Sequence, residues 1–221
     1  IHGSKNAVLP ILAASILTED QVILHNCPHL SDVENMIEIL EYIGCRTKWE
    51  DDTLVIDPSG AEGCELPNLL AGRLRSSITM LGPMLARFGK TRIALPGGCD
   101  IGLRPIDFHL KGMSTLNVAI YEESGTVFCD AENIRGADVH LDYPSVGTTE
   151  NIMMAALTAV GTTVIRNAAK EPEIVDLERF VNSMGARVFG AGTSTIIIRG
   201  VKKLHGTEHT VMPDRIVAGT L

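Results

Sequence analysis

The sequence predicts an α/β (α+β) chain in which one unit, helix–strand–helix–strand–strand, occurs three times. Three observations predict it. The segments "GCRTKWEDDTLVID", "NVAIYEESGTVFCD" and "GARVFGAGTSTIII" share one hairpin pattern. An amphipathic helix precedes each of them, at the 3/4 spacing of a helix with one buried face. The spacing between elements also recurs: Asn26 to Gly44 and Asn167 to Gly185 are both 18 positions, against 21 from Pro96 to Asn117.

Each element follows from its residues. The first strands of the hairpins begin at Gly44, Asn117 and Gly185, and the second strands ten positions later, at Leu54, Val127 and Thr195. Asp51-Asp52, Ser124-Gly125 and Gly192-Thr193 supply the turns. The preceding helices bury Val33, Met36, Ile37 and Leu40 in the first unit, His109, Leu110 and Met113 in the second, and Leu177, Phe180, Val181 and Met184 in the third. Before these come short strands, "QVILHN", "TRIALP" and "TTVIRN", and before the strands apolar helices, "AVLPILAASIL", "SSITMLGPMLARF" and "ENIMMAALTAV". A leading strand added to each unit gives βαβαββ. The units span about 1–58, 70–131 and 138–200, and together form one lobe over 1–221.

Composition bounds the function. The net charge of −8 argues against a general nucleic-acid binder, although a few focused cations can still hold a small anion. No apolar run approaches the roughly 20 residues that span a bilayer. The cysteines, Cys27, Cys45, Cys64, Cys99 and Cys129, are odd in number and contain no C-x-x-C, so neither a zinc site nor a disulfide framework is expected. That usage fits a reducing cytoplasm. The start "IHGSKNAVLP" enters a helix almost at once, and the close "MPDRIVAGTL" stops where a helix has just begun, so the chain is expected to be a fragment.

The three extra positions of the second unit fall at "PGGCDIGLRP", residues 96–105. Gly97, Gly98 and Gly102 give backbone freedom, Cys99 a thiol, and Arg104 a fixed cation, a combination suited to an anion. An enlarged loop in one copy of a repeat is a common seat of function. Counting back 21 positions from Asn26, Pro96 and Asn167 reaches Lys5, Arg75 and Val146. All three are expected at the start of the first helix of their unit, where free amides and the dipole favour anions.

"GSKNAVLPILAA", "LPGGCDIGLRPID", "PSVGTTENIM" and "EPEIVDLERF", in this order, resemble the UDP-N-acetylglucosamine enolpyruvyl transferase (1-carboxyvinyltransferase) family along the whole chain. The resemblance implies a two-lobed protein about twice this length. Each lobe would be an inside-out α/β barrel of three βαβαββ units, and 201–221 would begin the return to a missing second lobe. It also implies the reaction. Phosphoenolpyruvate gives its enolpyruvyl group to the 3′-hydroxyl of UDP-N-acetylglucosamine by addition and elimination, phosphate leaves, and no metal or cofactor takes part. This is the first committed step of peptidoglycan synthesis.

By the same resemblance, Cys99 donates the proton to the enol carbon and is alkylated by the epoxide fosfomycin. Lys5 holds phosphoenolpyruvate, and Asn6 hydrogen-bonds the sugar nucleotide. Arg75 and Arg104 offer planar, bidentate recognition of phosphate or carboxylate. Arg104, Pro105, Ile106, Asp107, Leu110, Ser145, Val146 and Gly147 match positions that contact the uridine and diphosphate. Two positions depart from the family. Asp100 replaces a small residue and would raise the thiol pKa by like-charge repulsion. Tyr143-Pro144 stands where some relatives carry a lysine. His109 reads as structural, "EPEIVD" as helix-capping, and the other four cysteines as inert.

Two rival functions stay open at this point. The sister enolpyruvyl transferase of the shikimate pathway shares the fold but lacks this cysteine loop. A non-catalytic sugar-nucleotide-binding lobe would fit a chain lacking half of a composite site. Catalysis by fixed charges needs the whole cleft, so the parent is expected to be an enzyme and this chain alone to be inactive.

Overall fold

The computed structural model describes residues 2–71, 75–94 and 106–219, with the side chains of Arg75 and Ser76 outside the description. The first unit comprises α1 (Lys5–Ala14), β1 (Val22–His25), α2 (Ser31–Tyr42), β2 (Arg46–Glu50) and β3 (Thr53–Asp57). The second comprises β4 (Glu65–Leu66), α3 (Asn68–Ala71), a 3₁₀ helix (Arg75–Met80), α4 (Leu81–Phe88), β5 (Lys90–Ala94), α5 (Asp107–Thr115), β6 (Ala119–Glu123) and β7 (Thr126–Asp130). The third comprises β8 (Asp138–His140), α6 (Val146–Ala156), β9 (Thr162–Arg166), α7 (Pro172–Ser183), β10 (Val188–Phe189) and β11 (Thr195–Arg199). β12 (Thr207–Thr210) and α8 (Arg215–Ala218) follow.

Among the described residues the strands form three four-stranded sheets of one design, β12-β1-β3-β2, β4-β5-β7-β6 and β8-β9-β11-β10. In each, an outer strand pairs parallel with the next, and the hairpin continues the sheet antiparallel. The second and third units supply their own leading strand, β4 and β8. The first takes its leading strand from residues 207–210, with Val22 opposite Thr207.

The barrel implied by the family resemblance is not formed. Among the described residues each sheet is open, with two outer strands paired on one side only, and no sheet closes on itself. Four strands are too few to close around a side-chain-filled interior, which takes about eight. β4 and β10 are also only two residues long. The architecture is instead three open sheets around packed helices.

The helices explain why these residues pack so. α1 is buried continuously from Ala7 to Ala14, and α6 from Thr148 to Ala156. A helix apolar all round, as α1 is and α6 is from Ile152 onward, belongs inside. α2 and α7 bury one stripe each, Val33, Met36, Ile37, Ile39 and Leu40 in one and Ile174, Leu177, Phe180 and Val181 in the other. The sheets present one face inward, through Leu54 and Ile56, Val127 and Cys129, and Ile196 and Ile198. α6 lies against both α4 and α5, and glycines permit the approach. A Cβ on Gly82 would stand 2.3 Å from the Asn151 carbonyl oxygen, and one on Gly112 2.3 Å from Cδ1 of Ile152.

The hairpins start two or three residues after the expected positions. Gly44, Asn117 and Gly185 are instead the left-handed residues that turn each helix into its strand, at φ 108°, 67° and 95°. Glycine and asparagine are the residue types that tolerate this region.

Candidate functional site

The counted positions Lys5, Arg75 and Val146 are each the first residue of their helix: α1, the 3₁₀ helix and α6. Lys5 is half-buried, and its ammonium lies 2.9 Å from a carboxylate oxygen of Asp32. Asp32 sits in the first turn of α2, where the helix dipole favours an anion. Asn6 follows, exposed to solvent. The start of α1 is fixed from behind, since the Ser4 N–H donates to the Met212 carbonyl at 2.8 Å and Gly3 bridges Pro213 antiparallel.

α5 and α6 begin side by side. Ile106 accepts the first amides of α5, from His109 at 2.8 Å and Leu110 at 3.1 Å. Asp107 is exposed in that turn, and Ile106 and Leu110 are half-buried. Ser145 caps α6, its hydroxyl accepting from the Thr148 N–H at 3.3 Å. The first intrahelical bond there runs from Thr149 N–H to the Ser145 carbonyl, at 3.0 Å. The amides of Val146 and Gly147 precede it and have no intrahelical acceptor. The His109 ring joins the two turns: a Cβ on Gly147 would lie 3.4 Å from its Cε1. Two first turns in contact, with small residues on one of them, suit an anionic group such as a diphosphate.

Behind these turns lies a buried amide. Asn151 Nδ2 donates to the Ile78 carbonyl at 2.8 Å and pairs with His109 Nδ1 at 2.8 Å, and its Oδ1 accepts from the Gly82 N–H at 2.7 Å. Burial pushes His109 down to about 4, so the ring is neutral at physiological pH. Beyond it, Glu150 is buried, and its Oε1 has no hydrogen-bond partner among the described residues. Burial, and after it the charges of Glu173 and Glu171, push its carboxyl up to about 8. Glu173 pairs with Arg215 at 3.0 Å.

The structure thus sets the turn that carries Ile106, Asp107 and Leu110 beside the turn that carries Ser145, Val146 and Gly147, through His109 against Gly147, and places Lys5 and Asn6 at a helix start of their own. Cys99, Arg104 and Pro105 lie outside the described residues, as does the side chain of Arg75. Sequence reasoning missed Asp32 and Asn151. The second left a signal, because "TTEN" is polar in an otherwise apolar helix. Cys27, Cys45 and Cys129 are buried, and burial first of all pushes each thiol up to about 12, so they are no nucleophiles. Among the described residues, no group of His, Cys, Asp or Glu side chains is placed to hold a metal ion, and no helix is long and apolar enough to cross a membrane.

The family model described as EPSP synthase (3-phosphoshikimate 1-carboxyvinyltransferase) matches residues 1–221, and the chain belongs to that family. Within it, the chain is 58% identical over 220 residues to the UDP-N-acetylglucosamine 1-carboxyvinyltransferase 2 of Caldanaerobacter subterraneus, covering 53% of that relative. It is 53% identical over 226 residues to the UDP-N-acetylglucosamine 1-carboxyvinyltransferase 1 of Symbiobacterium thermophilum, covering 51% of it. The chain therefore spans about half the length of the curated relatives it matches. Two solved structures share the fold. The enolpyruvyl transferase NikO from Streptomyces tendae has a TM-score of 0.87 at 24% identity, over 99% of this chain and 52% of that one. EPSP synthase from Acinetobacter baumannii has a TM-score of 0.72 at 20% identity, over 96% and 48%.

Proposed function

We propose that the full-length protein transfers the enolpyruvyl group of phosphoenolpyruvate to the 3′-hydroxyl of UDP-N-acetylglucosamine and releases phosphate. The observation that carries this reading is the paired start of α5 and α6, on the segments Ile106–Leu110 and Ser145–Gly147, together with identity above half to relatives named for that reaction. The diphosphate is held by the free amides of α6, and the uridine by the half-buried Ile106 and Leu110. Lys5, oriented by Asp32, and Arg75 neutralise phosphoenolpyruvate. The 3′-oxygen bonds to C2 of phosphoenolpyruvate while C3 takes a proton from Cys99, and the proton released by the hydroxyl restores the thiol. C3 then loses a proton as the C2–O bond to the phosphate breaks, and that proton leaves with the phosphate. Arg104 stabilises the charge that develops on the leaving phosphate. A second lobe of the same polypeptide completes the cleft, and the reaction runs in the cytoplasm at the start of peptidoglycan synthesis.

Phosphate release by the full-length protein tests the reading. Release that needs both phosphoenolpyruvate and UDP-N-acetylglucosamine is expected. Release with shikimate 3-phosphate as acceptor instead would overturn it. Intact mass after fosfomycin treatment tests the thiol: one adduct, lost in Cys99→Ala and formed faster with nucleotide, is expected.

A further inference from the structure

Three chain segments, two of which carry site candidates, meet at one side chain. Ile78 belongs to the 3₁₀ helix that Arg75 opens, Gly82 to α4, and His109 to the first turn of α5. All three bond to the amide of Asn151. We propose that Asn151 is a positioning residue. Its amide locks these segments to α6 and fixes His109 as an Nε2–H donor beside the start of that helix. The effect on substrate rests on the function proposed above; the tautomer does not.

The orientation of the amide is set by its backbone partners. The Gly82 N–H can only donate, so the atom it meets at 2.7 Å is the amide oxygen. The Ile78 carbonyl can only accept, so the atom it meets at 2.8 Å is the amide nitrogen. A flipped amide would set N–H against N–H and oxygen against oxygen, and both conflicts would be buried. The remaining hydrogen on Nδ2 points at His109 Nδ1, 2.8 Å away. Nδ1 must therefore offer its lone pair, which leaves the ring proton on Nε2.

The surroundings hold that assignment. Asn151 is fully buried and His109 nearly so, at 8% of its free exposure. Burial keeps the ring neutral, and protonating Nδ1 would also set donor against donor. The ring lies against Gly147, where a Cβ would stand 3.8 Å from Nε2. A rotation or charge on the ring is thus transmitted to the first turn of α6 and, through Ile78, to the 3₁₀ helix.

Nuclear magnetic resonance of ring-¹⁵N-histidine-labelled full-length protein reads the tautomer directly. An unprotonated Nδ1 and a protonated Nε2 on His109 are expected at about pH 7. A protonated Nδ1 in the unsubstituted protein would overturn the proposal, whatever any variant does. Asn151→Asp keeps the acceptor for Gly82 but sets an anion beside Nδ1, which draws the proton to that nitrogen. The KM for UDP-N-acetylglucosamine then rises about tenfold, which corresponds to about 1.4 kcal/mol. Asn151→Ser, shorter and uncharged, serves as the second variant if the first does not fold. A merely structural role would lower the melting temperature of either variant and leave KM unchanged, and that result would refute positioning. Failure of the unsubstituted protein to turn over at all would count against the proposed function instead, and the ring measurement would still decide the geometry.

Discussion

Replacing Glu150 with glutamine removes one titratable carboxyl from the interior of α6 and keeps its shape. The residue is 5% exposed, and the ordinary carboxyl value of 4.5 is pushed up to about 8. The folded chain thus holds this proton over a pH range in which the unfolded chain has released it. Its contribution to stability is complete below about pH 4.5 and falls as pH rises toward about 8, beyond which it is constant. Fully expressed, that span corresponds to about 5 kcal/mol, at about 1.4 kcal/mol per pH unit. His109 acts in the opposite sense: its folded value is about 4 against an ordinary 6.5, so its contribution grows as pH rises between them. A single pH curve mixes the two, whereas the difference between the parent chain and Glu150→Gln cancels His109. Urea unfolding of both at intervals from about pH 5 to pH 8 gives that difference. Relative to the variant, the parent chain is expected to lose several kcal/mol across the range. A difference independent of pH would refute the assignment of Glu150 as a buried, protonated acid.

Gly82→Ala forces a methyl group to 2.3 Å from the Asn151 carbonyl oxygen, so α4 and α6 must separate. A loss of about 1–3 kcal/mol is expected in thermal melts, and an unchanged melt would show that the helices yield freely. Asp32→Ala leaves the half-exposed Lys5 without its partner. Stability should change by less than about 1 kcal/mol, while the KM for phosphoenolpyruvate rises severalfold in the full-length protein; an unmoved KM would remove Asp32 from the site. Phe180→Ala empties a fully buried position of α7 and should cost about 3–5 kcal/mol, measured by denaturant midpoint. Under native conditions iodoacetamide should spare Cys27, Cys45 and Cys129, and peptide mapping after urea should find all three labelled.

The repeat was legible because each unit writes the same physics in different residues. Val33 to Leu40 and Leu177 to Val181 mark buried helix stripes, and Leu54-x-Ile56, Val127-x-Cys129 and Ile196-x-Ile198 mark buried strand faces. Aligning the units even located the helix starts at Lys5, Arg75 and Val146. The leading strand of the first unit was not legible. "TEHT", residues 207–210, has no apolar alternation, and its partner Val22 lies far back in the chain. The closed barrel came from family likeness rather than from any pattern in the residues, and the open sheets correct it. In the site, residue types were readable and partners were not. Lys5 was visible as a cation at a helix start, but Asp32 belongs to another helix. Asn151 was visible as a polar break in an apolar run, but its bonds to Ile78, Gly82 and His109 exist only once three segments have packed.

The borrowed strand sets the order in which this lobe can be made. β1 emerges from the ribosome before its parallel partner β12, which comes 185 residues later. Until then β1 presents an unpaired edge, a template for strands of other chains. The second and third units carry their own leading strands and can finish first, while the unit that holds β1, though made before them, is the last of the three to complete. Contacts so distant along the chain slow folding, and they prolong the interval in which nascent chains can associate wrongly. A truncation that stopped before Thr207 would make that interval permanent.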